Sequence, residues 1–586
     1  MWSLLTTVVT ALLALYYGTF ILQFCINYFQ GRKSGFHTVL IPFAPAHPVW
    51  LIGAGVLRET LQKTLKGRIL DWLVLTIGPF EHEVKRRPFT SDPEVVLDVL
   101  KRPKDFSQQD VSNLILGYMG PSLITSDGDV WAKQRKIIAS IVNERVSKLV
   151  FEESGRQADF LADELRTVNS ENRDATIPSM DGLKKIAINV LSRAGYGIPK
   201  AWEDGDVPSD SVSRGGKYHL DFMSSVKYMI DYLIVGAFVS PRLLTNVPNW
   251  VKGASEMHNI GHAVNEYAHH ARAKIAEERA IQASSKSQPV RASLLAQLVL
   301  NSGDAASLNE KAISLTEPEM FGNLWVFTSA GYDTTANTLQ FATILLAAYP
   351  EWQDWLFSES SRLLPAGTTS DLDYASTYTR ASRHLALMNE TLRLFPPVPH
   401  NAKMNKSGKY QTVITKTATY HITPKTNIFP CFLALHLEPT VWRNLNRPGY
   451  PSPSAETVQE TLQDTLDKTQ DEYIFRPARW IVQSSTEAGE AEQLFKPPQG
   501  HFLPFSTGPR VCPGYKMAQV EFVSIVLTLL RRFKVKAVKQ VIDGKQETQE
   551  EAARRLWEIM HDLRQGVTIG IKRIHETGLK FVEREI

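Results

Sequence analysis

The feature that most constrains this chain is the stretch from Thr316 to Pro350. It is mostly apolar, and beyond Glu319 its only charge is Asp333. Thr316 or Glu317 can cap a helix there, with Pro318 in the first turn. About thirty residues at 1.5 Å each make a rod of roughly 45 Å. That is long for a soluble domain, and so apolar a rod has to be buried. In its middle stands Ala330-Gly331-Tyr332-Asp333-Thr334-Thr335. Gly331 costs roughly 1 kcal/mol against Ala in a helix interior. One acid and two threonines inside an apolar helix also need partners. A core helix that accepts both costs has a use for them.

A second stretch lies near the C-terminal end: Phe505-Ser506-Thr507-Gly508-Pro509-Arg510-Val511-Cys512-Pro513-Gly514. The pattern Phe-x-x-Gly-x-Arg-x-Cys-x-Gly resembles the haem-binding loop of the cytochromes P450. The resemblance implies haem b (iron protoporphyrin IX), with the Cys512 thiolate as axial ligand of its iron. A thiolate donates electron density that favours O–O cleavage. Phe505 belongs to the same loop. Gly508 and Gly514 are expected in backbone conformations that a side chain forbids, so that the loop passes close to the porphyrin. Backbone N–H groups around Cys512 would donate to its sulfur, and Arg510 would pair with a haem propionate.

The other signatures follow in the family's order. The Ala330–Thr335 stretch resembles the oxygen-activation motif. There Ala330 and Gly331 leave room over the porphyrin, the Thr334 hydroxyl bonds the outer oxygen or a water, and Asp333 relays protons. In GPSLITSDGDVWAKQR a turn at Asp127-Gly128 leads into a helix near Asp129 with Trp131 and Arg135 on one face. By the resemblance both hold a propionate. Asn389-Glu390-Thr391-Leu392-Arg393 followed by Pro396-Pro397 resembles the family's Glu-x-x-Arg helix. Arg479, in Phe475-Arg476-Pro477-Ala478-Arg479-Trp480, would complete a buried ion network with Glu390 and Arg393. Ala478 stands where the family usually has Glu, which removes one possible partner. His400 or Lys403 is a further candidate for a propionate, and His436 with Trp442 reads as a packing feature.

Between these blocks the reading is ordinary. Phe89-Thr90 then Asp92-Pro93 marks a strand passing into a helix capped by Asp92. Helices are expected over 60–75, 180–191, 253–280 and 518–530, the last with Glu521 near its start. Residues 201–216, 281–290 and 301–309 read as loops, and 451–469 as a surface insertion. The stretch 222–243 is rich in Met and aromatic side chains. It reads either as the roof of a substrate cavity or as core or membrane-facing side chains. His258, His262, His269 and His270 share the helix over 253–280. With no Glu–His pairing to support zinc, they read as surface or interface histidines. Strands near 567–571 and 579–582 would place a hairpin by the substrate.

Residues 1–31 carry no charged side chain and are followed by Arg32 and Lys33. That length spans a bilayer as one helix, with the following body cytoplasmic. Residues 32–57 contain Pro42, Pro45 and Pro48, and read as a linker resting on the membrane or as a second crossing. Length alone would suggest several domains. The resemblance covers nearly everything after the anchor and implies one catalytic domain over 58–586. Its fold is mainly α, the cytochrome P450 fold with a small β-rich lobe. Cys25, Cys431 and Cys512 are the only cysteines, so there is no disulfide framework. Lys and Arg exceed Asp and Glu by 65 − 61 = 4, with no basic run or zinc pattern that suits nucleic acid.

The function implied is that of a single-pass monooxygenase of the endoplasmic reticulum membrane. It would insert one atom of O2 into a lipophilic small molecule, and the overall layout resembles fungal enzymes of secondary metabolism. Pro-Pro-Val-Pro-x-Asn also resembles fungal fatty-acid and alkane hydroxylases. No flavin or nicotinamide domain is visible. Electrons from NADPH would therefore come through a separate NADPH–cytochrome P450 reductase, with cytochrome b5 as a second donor. Lys516 is a candidate docking charge. A P450-like isomerase or dehydratase, and a non-catalytic haem-thiolate sensor, are the alternatives. Both fit poorly with an intact Asp333-Thr334 pair.

Overall fold

The computed structural model describes residues 89–109, 116–117, 119–171, 174–202, 219–220, 222–284, 291–302, 314–363, 373–443, 471–486, 489–565 and 568–584. The expected membrane helix at 1–31, the linker at 32–57, the helix at 60–75 and the insertion at 451–469 lie outside them. Among the described residues no helix is long and apolar enough to cross a membrane. The chain divides into two compact units, the smaller made of the residues up to Gln109 together with His400–Cys431.

The smaller unit is the β-rich lobe. Strand β1 (Phe89–Thr90) leads into helix α1 (Pro93–Lys101). Asp92 caps that helix by accepting from the N–H groups of Glu94 and Val95, which is the cap expected from the sequence. β2 (Phe106–Gln108), β3 (Lys403–Asn405) and β6 (Asn427–Pro430) join β1 in a sheet of order β1-β6-β3-β2. β1 and β6 are parallel, and the other pairs antiparallel. A hairpin of β4 (Gln411–Ile414) and β5 (Thr419–Ile422) completes it. Val95, Val99, Phe106, Val413, Ile422 and Ile428 form its core. Lys403 is buried on β3 and donates to the side chain of Gln108 at 3.0 Å.

The larger unit is mainly helical. Its principal helices are α2 (Gly128–Ile141), α3 (Glu144–Ser170), α4 (Thr176–Tyr196), α5 (Phe222–Asp231), α6 (Ala254–Ser284), α7 (Glu317–Ala348), α8 (Ser382–Leu394), α9 (Tyr515–Arg532) and α10 (Gln549–His561). Its short strands include β7 (Phe533–Ala537), β8 (Leu563–Gln565), β9 (Ile569–Ile571) and β10 (Leu579–Glu583). The long apolar stretch after Thr316 forms α7, 32 residues long. Thr316 is its N-cap, and Thr316 and Glu319 form a reciprocal capping box. α7 packs against α4, α8, α9 and α10, and most of its side chains are buried.

Two expectations change. β9 and β10 do not pair with each other. β9 pairs with β8, and β10 with β7. The hairpin near the C-terminus is therefore β8–β9, and the alternation of apolar residues could not reveal which partner each strand takes. In 222–243, Phe222, Met223, Val226, Met229, Ile230 and Leu233 belong to the hydrophobic core. For these side chains the core reading holds, and the roof reading does not.

A close approach fixes where α7 starts. Gly322 lies against the turn at Gly120 and Pro121, and Asn323 accepts the Leu123 N–H at 2.9 Å. A Cβ on Gly322 would stand 2.3 Å from the Pro121 carbonyl oxygen and 2.5 Å from that of Gly120. Gly322→Ala would gain roughly 1 kcal/mol of helix propensity. Forcing a methyl between backbone atoms costs typically about 1–3 kcal/mol. The expected net result is a lower urea midpoint, read by circular dichroism. An unchanged or higher midpoint would show that the turn yields at no cost.

Candidate functional site

The loop before α9 is shaped by its own backbone. Gly508 has φ +72° and Ser506 φ +60°, so the chain reverses twice in the left-handed region. Glycine adopts that conformation at Gly508 without the strain a side chain brings. At Gly514 the expectation fails. Its φ is −88°, and a Cβ there would meet nothing within 4 Å. Gly514 contributes its N–H instead, directed at the Cys512 sulfur. The Cys512 N–H itself donates to the Phe505 carbonyl at 2.9 Å, which closes the loop.

Charges on Cys512 oppose one another. Burial pushes the thiol pKa up, while the Gly514 N–H and the Arg135 guanidinium pull it down without winning. Left to itself, Cys512 is a thiol at neutral pH, and a bound metal cation is what would strip its proton. Arg135 donates to the Val511 carbonyl at 2.9 Å. The Arg510 guanidinium lies 4.6 Å from the centre of the Trp131 ring. Trp131, Arg135, Arg510 and Cys512 therefore meet, as their separate motifs suggested. Arg510 already has a carboxylate partner, Asp127, at 2.7 Å, and bonds the Ser126 carbonyl at 2.9 Å. Its Nε is buried without a partner.

On α7 a single face stays uncovered. Ala330 and Gly331 are exposed and Phe327 and Thr334 half-buried, in a helix otherwise almost wholly enclosed from Glu319 onward. These residues follow the i, i+3, i+4, i+7 spacing of one helix face. Nothing nearer than the Leu191 side chain, at 3.9 Å, would meet a Cβ on Gly331. The Thr334 hydroxyl donates to the Ala330 carbonyl at 2.7 Å. Asp333 points elsewhere and accepts from the Thr568 hydroxyl. Asn337, one turn on, donates to the same hydroxyl oxygen at 2.8 Å. Thr568 stands at the start of β9 in the β8–β9 hairpin. Asp231 on α5 lies close enough for its charge to interact with that of Asp333. Thr568, Asn337 and Asp231 were not visible as site residues in the sequence, because no motif surrounds any of them.

The ion network forms as expected. Both Glu390 oxygens accept from Arg393, at 2.8 and 2.9 Å, and one also accepts from Arg479 at 3.0 Å. The Trp480 indole and the Arg476 N–H complete the set at 2.9 and 2.8 Å. All three charged side chains are fully buried. Burial would raise the Glu390 pKa, but the guanidiniums of Arg393 and Arg479 overcome it and hold it at about 2. Asp471 supplies the acid that Ala478 lacks, at 2.7 Å from Arg476 and 3.4 Å from Arg479. His436 does more than pack: its Nε2 accepts the Leu503 N–H at 2.8 Å, just ahead of the Cys512 loop. Burial and then the nearby Arg393 lower its pKa to about 3, so it stays neutral. Lys516 is paired with Glu144 and is not an unengaged docking charge. Burial pushes Glu521 up to about 8, so it carries little negative charge along α9 at neutral pH.

The residues present suit a haem. One soft thiol is backed by an N–H and a guanidinium, a buried guanidinium Nε lacks a partner, and an apolar helix keeps an exposed stripe of small residues.

Comparison with known proteins agrees. The family description of cytochrome P450 matches residues 46–447 and 474–555. A phomenoic acid biosynthesis cluster cytochrome P450 monooxygenase of Leptosphaeria maculans is 32% identical, over 94% of each chain. A cytochrome P450 monooxygenase of Arthrobotrys oligospora is 24% identical, over 92% of this chain and 91% of its own. One of Penicillium roqueforti is 25% identical, over 78% of this chain and 76% of its own.

Glu390→Gln removes the carboxylate shared by two buried guanidiniums and leaves only the Asp471 contact to Arg479, and the expected loss is about 3–5 kcal/mol. The pH dependence follows from the depressed pKa. The unfolded carboxyl titrates near about 4.3. The ionised pair therefore stabilises fully above that pH, and its contribution fades as pH falls towards about 2. The wild type should lose stability across this acid window more steeply than Glu390→Gln, as read by urea midpoints at a series of pH values. Parallel curves would show that the carboxylate is not the acid-sensitive group.

Proposed function

This chain belongs to the cytochrome P450 family, and from that premise we propose that it is a haem-thiolate monooxygenase of fungal secondary metabolism. It inserts one oxygen atom from O2 into a lipophilic intermediate. The observation that carries the chemistry is the Cys512 thiol with its Gly514 N–H and Arg135 neighbours. The name of the Leptosphaeria relative, similar along nearly the whole of both chains, supports the metabolic setting.

Haem, when bound, supplies the activation of O2 and the oxidation of the substrate. Cys512 would hold its iron through Sγ. The Gly514 N–H and the Arg135 guanidinium would temper the negative charge on that sulfur. Arg510, Trp131 and Arg135 would hold the propionates, with the Arg510 Nε as the donor still available. Phe505 and Gly508 shape the Cys512 loop. Ala330 and Gly331 leave the open face of α7 clear, which favours an apolar substrate laid against it. Asp333 and Thr334 pass protons towards that side. The Thr334 hydroxyl donates to the Ala330 carbonyl, and an acceptor on the open face would compete for that bond. The ion network of Glu390, Arg393 and Arg479 retains the cofactor and takes no part in chemistry.

Residues 1–31 anchor the protein as one helix in the endoplasmic reticulum membrane, 32–57 link it, and 58–586 form the cytoplasmic catalytic domain. Electrons come from NADPH–cytochrome P450 reductase, with cytochrome b5 as a further donor.

NADPH consumption measured against product formation, with purified reductase, tests this reading. Cys512→Ala should lose the red-shifted carbon-monoxide spectrum of a reduced thiolate-ligated haem. Thr334→Ala should keep that spectrum and consume NADPH, yet release peroxide, with product lowered about a hundredfold. Unchanged coupling in Thr334→Ala would remove the proton role. An unchanged spectrum in Cys512→Ala would remove the thiolate.

A further inference from the structure

Away from the Cys512 loop, the entry to α5 meets the middle of α6 through three side chains that no motif assigned. Glu266 of α6 is almost wholly buried. Its carboxylate accepts the backbone N–H groups of His219, at 3.0 Å to each oxygen, and of Leu220, at 2.9 Å. These bonds cap the turn that leads into α5 and fix the carboxylate in place. Two imidazoles are then brought to one of its oxygens. His219 Nδ1 lies 3.0 Å from Glu266 Oε1, and His262 Nδ1 lies 3.7 Å from it. The rings stack with centroids 3.7 Å apart. One ligand atom from each of the three side chains lies within 4.8 Å of the other two.

The four histidines of α6 alone do not mark this group, because its carboxylate and its third ligand lie among other residues. Glu266 sits four residues after His262, so the pair projects from one helix face. That spacing is one at which a helix presents two metal ligands together. His219, from outside the helix, supplies the third.

We propose that His219, His262 and Glu266 form a binding site for a divalent first-row transition ion such as zinc, which ties the start of α5 to α6. Two imidazoles and a carboxylate are the donor set of such ions. Ligand atoms about 2.0–2.1 Å from a tetrahedral zinc stand roughly 3.3 Å apart, and the two nitrogen-to-oxygen distances bracket that value. The carboxylate is already oriented by backbone N–H groups, the outer support that metal ligands need. Ligation requires each imidazole proton to sit on Nε2, with Nδ1 facing the ion. The shift runs through solvent and changes no net charge. The stacked rings aim both nitrogens the same way, so the His219 ring has to turn, and its side chain, 66% exposed, has room to do so. The same exposed side leaves the remaining coordination position to water.

Isothermal titration of the untagged, chelator-washed holoenzyme with zinc tests the site. His219→Ala is the decisive variant, because an exposed side chain is removed and the Glu266 backbone bonds stay. His262→Ala removes the second ligand. His269→Ala, exposed on the same helix, controls for binding to surface histidines at large. One equivalent should bind to the wild type and to His269→Ala. His219→Ala and His262→Ala should each weaken that binding at least about tenfold. Amide exchange over 219–231 should slow with zinc in the wild type and remain unchanged in His219→Ala. No stoichiometric binding by the wild type, or wild-type affinity retained in His219→Ala or His262→Ala, would overturn the proposal.

Discussion

The carboxylate of Glu390 is the contact on which the proximal half of the larger unit depends. A buried ion pair is rarely stabilising by charge alone, because desolvation takes back most of the attraction. What offsets that here is completeness. Arg393 and Arg479 do not stop at Glu390. Their remaining N–H groups reach the carbonyls of Trp442, Asp471, Glu472 and Ile474. Those carbonyls lie at the end of the short helix Pro439–Trp442 and in or just after the single turn Asp471–Tyr473. Two short elements with few hydrogen bonds of their own are thus pinned to α8 by two guanidiniums. His436 extends the same framework to Leu503, nine residues before Cys512. The position of the thiol is set through this chain of polar contacts as much as by its own loop.

That framework was legible in the sequence to a specific depth. Glu390, Arg393 and Arg479 could be read because a Glu-x-x-Arg helix and a Phe-Arg-Pro-Ala-Arg-Trp segment stand in the right order. Asp92 before Pro93 and Trp131 four residues before Arg135 could be read for a similar reason: their geometry is local and follows from helix spacing. Asp471 could not. Its role exists only because the fold brings it to Arg476 and Arg479, and no pattern marks an acid that substitutes for a missing neighbour. Thr568 is a stronger case. It lies 235 residues from Asp333, in a hairpin whose strand pairing the alternation of apolar residues leaves open. His219 and Glu266 were hidden in the same way, by a contact between two elements and not within one.

The two glycines of α7 show how such costs can be told apart. Each weakens the helix by a similar amount. Gly322 is explained by protein alone, since two backbone carbonyls occupy the place of its missing Cβ. Gly331 has no such neighbour. A methyl there would touch only the end of Leu191, so packing does not require glycine, and an alanine would strengthen the helix. The same face carries Ala330, and the threonine one turn on bonds backwards to the helix itself. The small residues at 330 and 331 therefore serve space on the open side of α7, not contact within it. The haem and apolar substrate proposed for this protein would need that space.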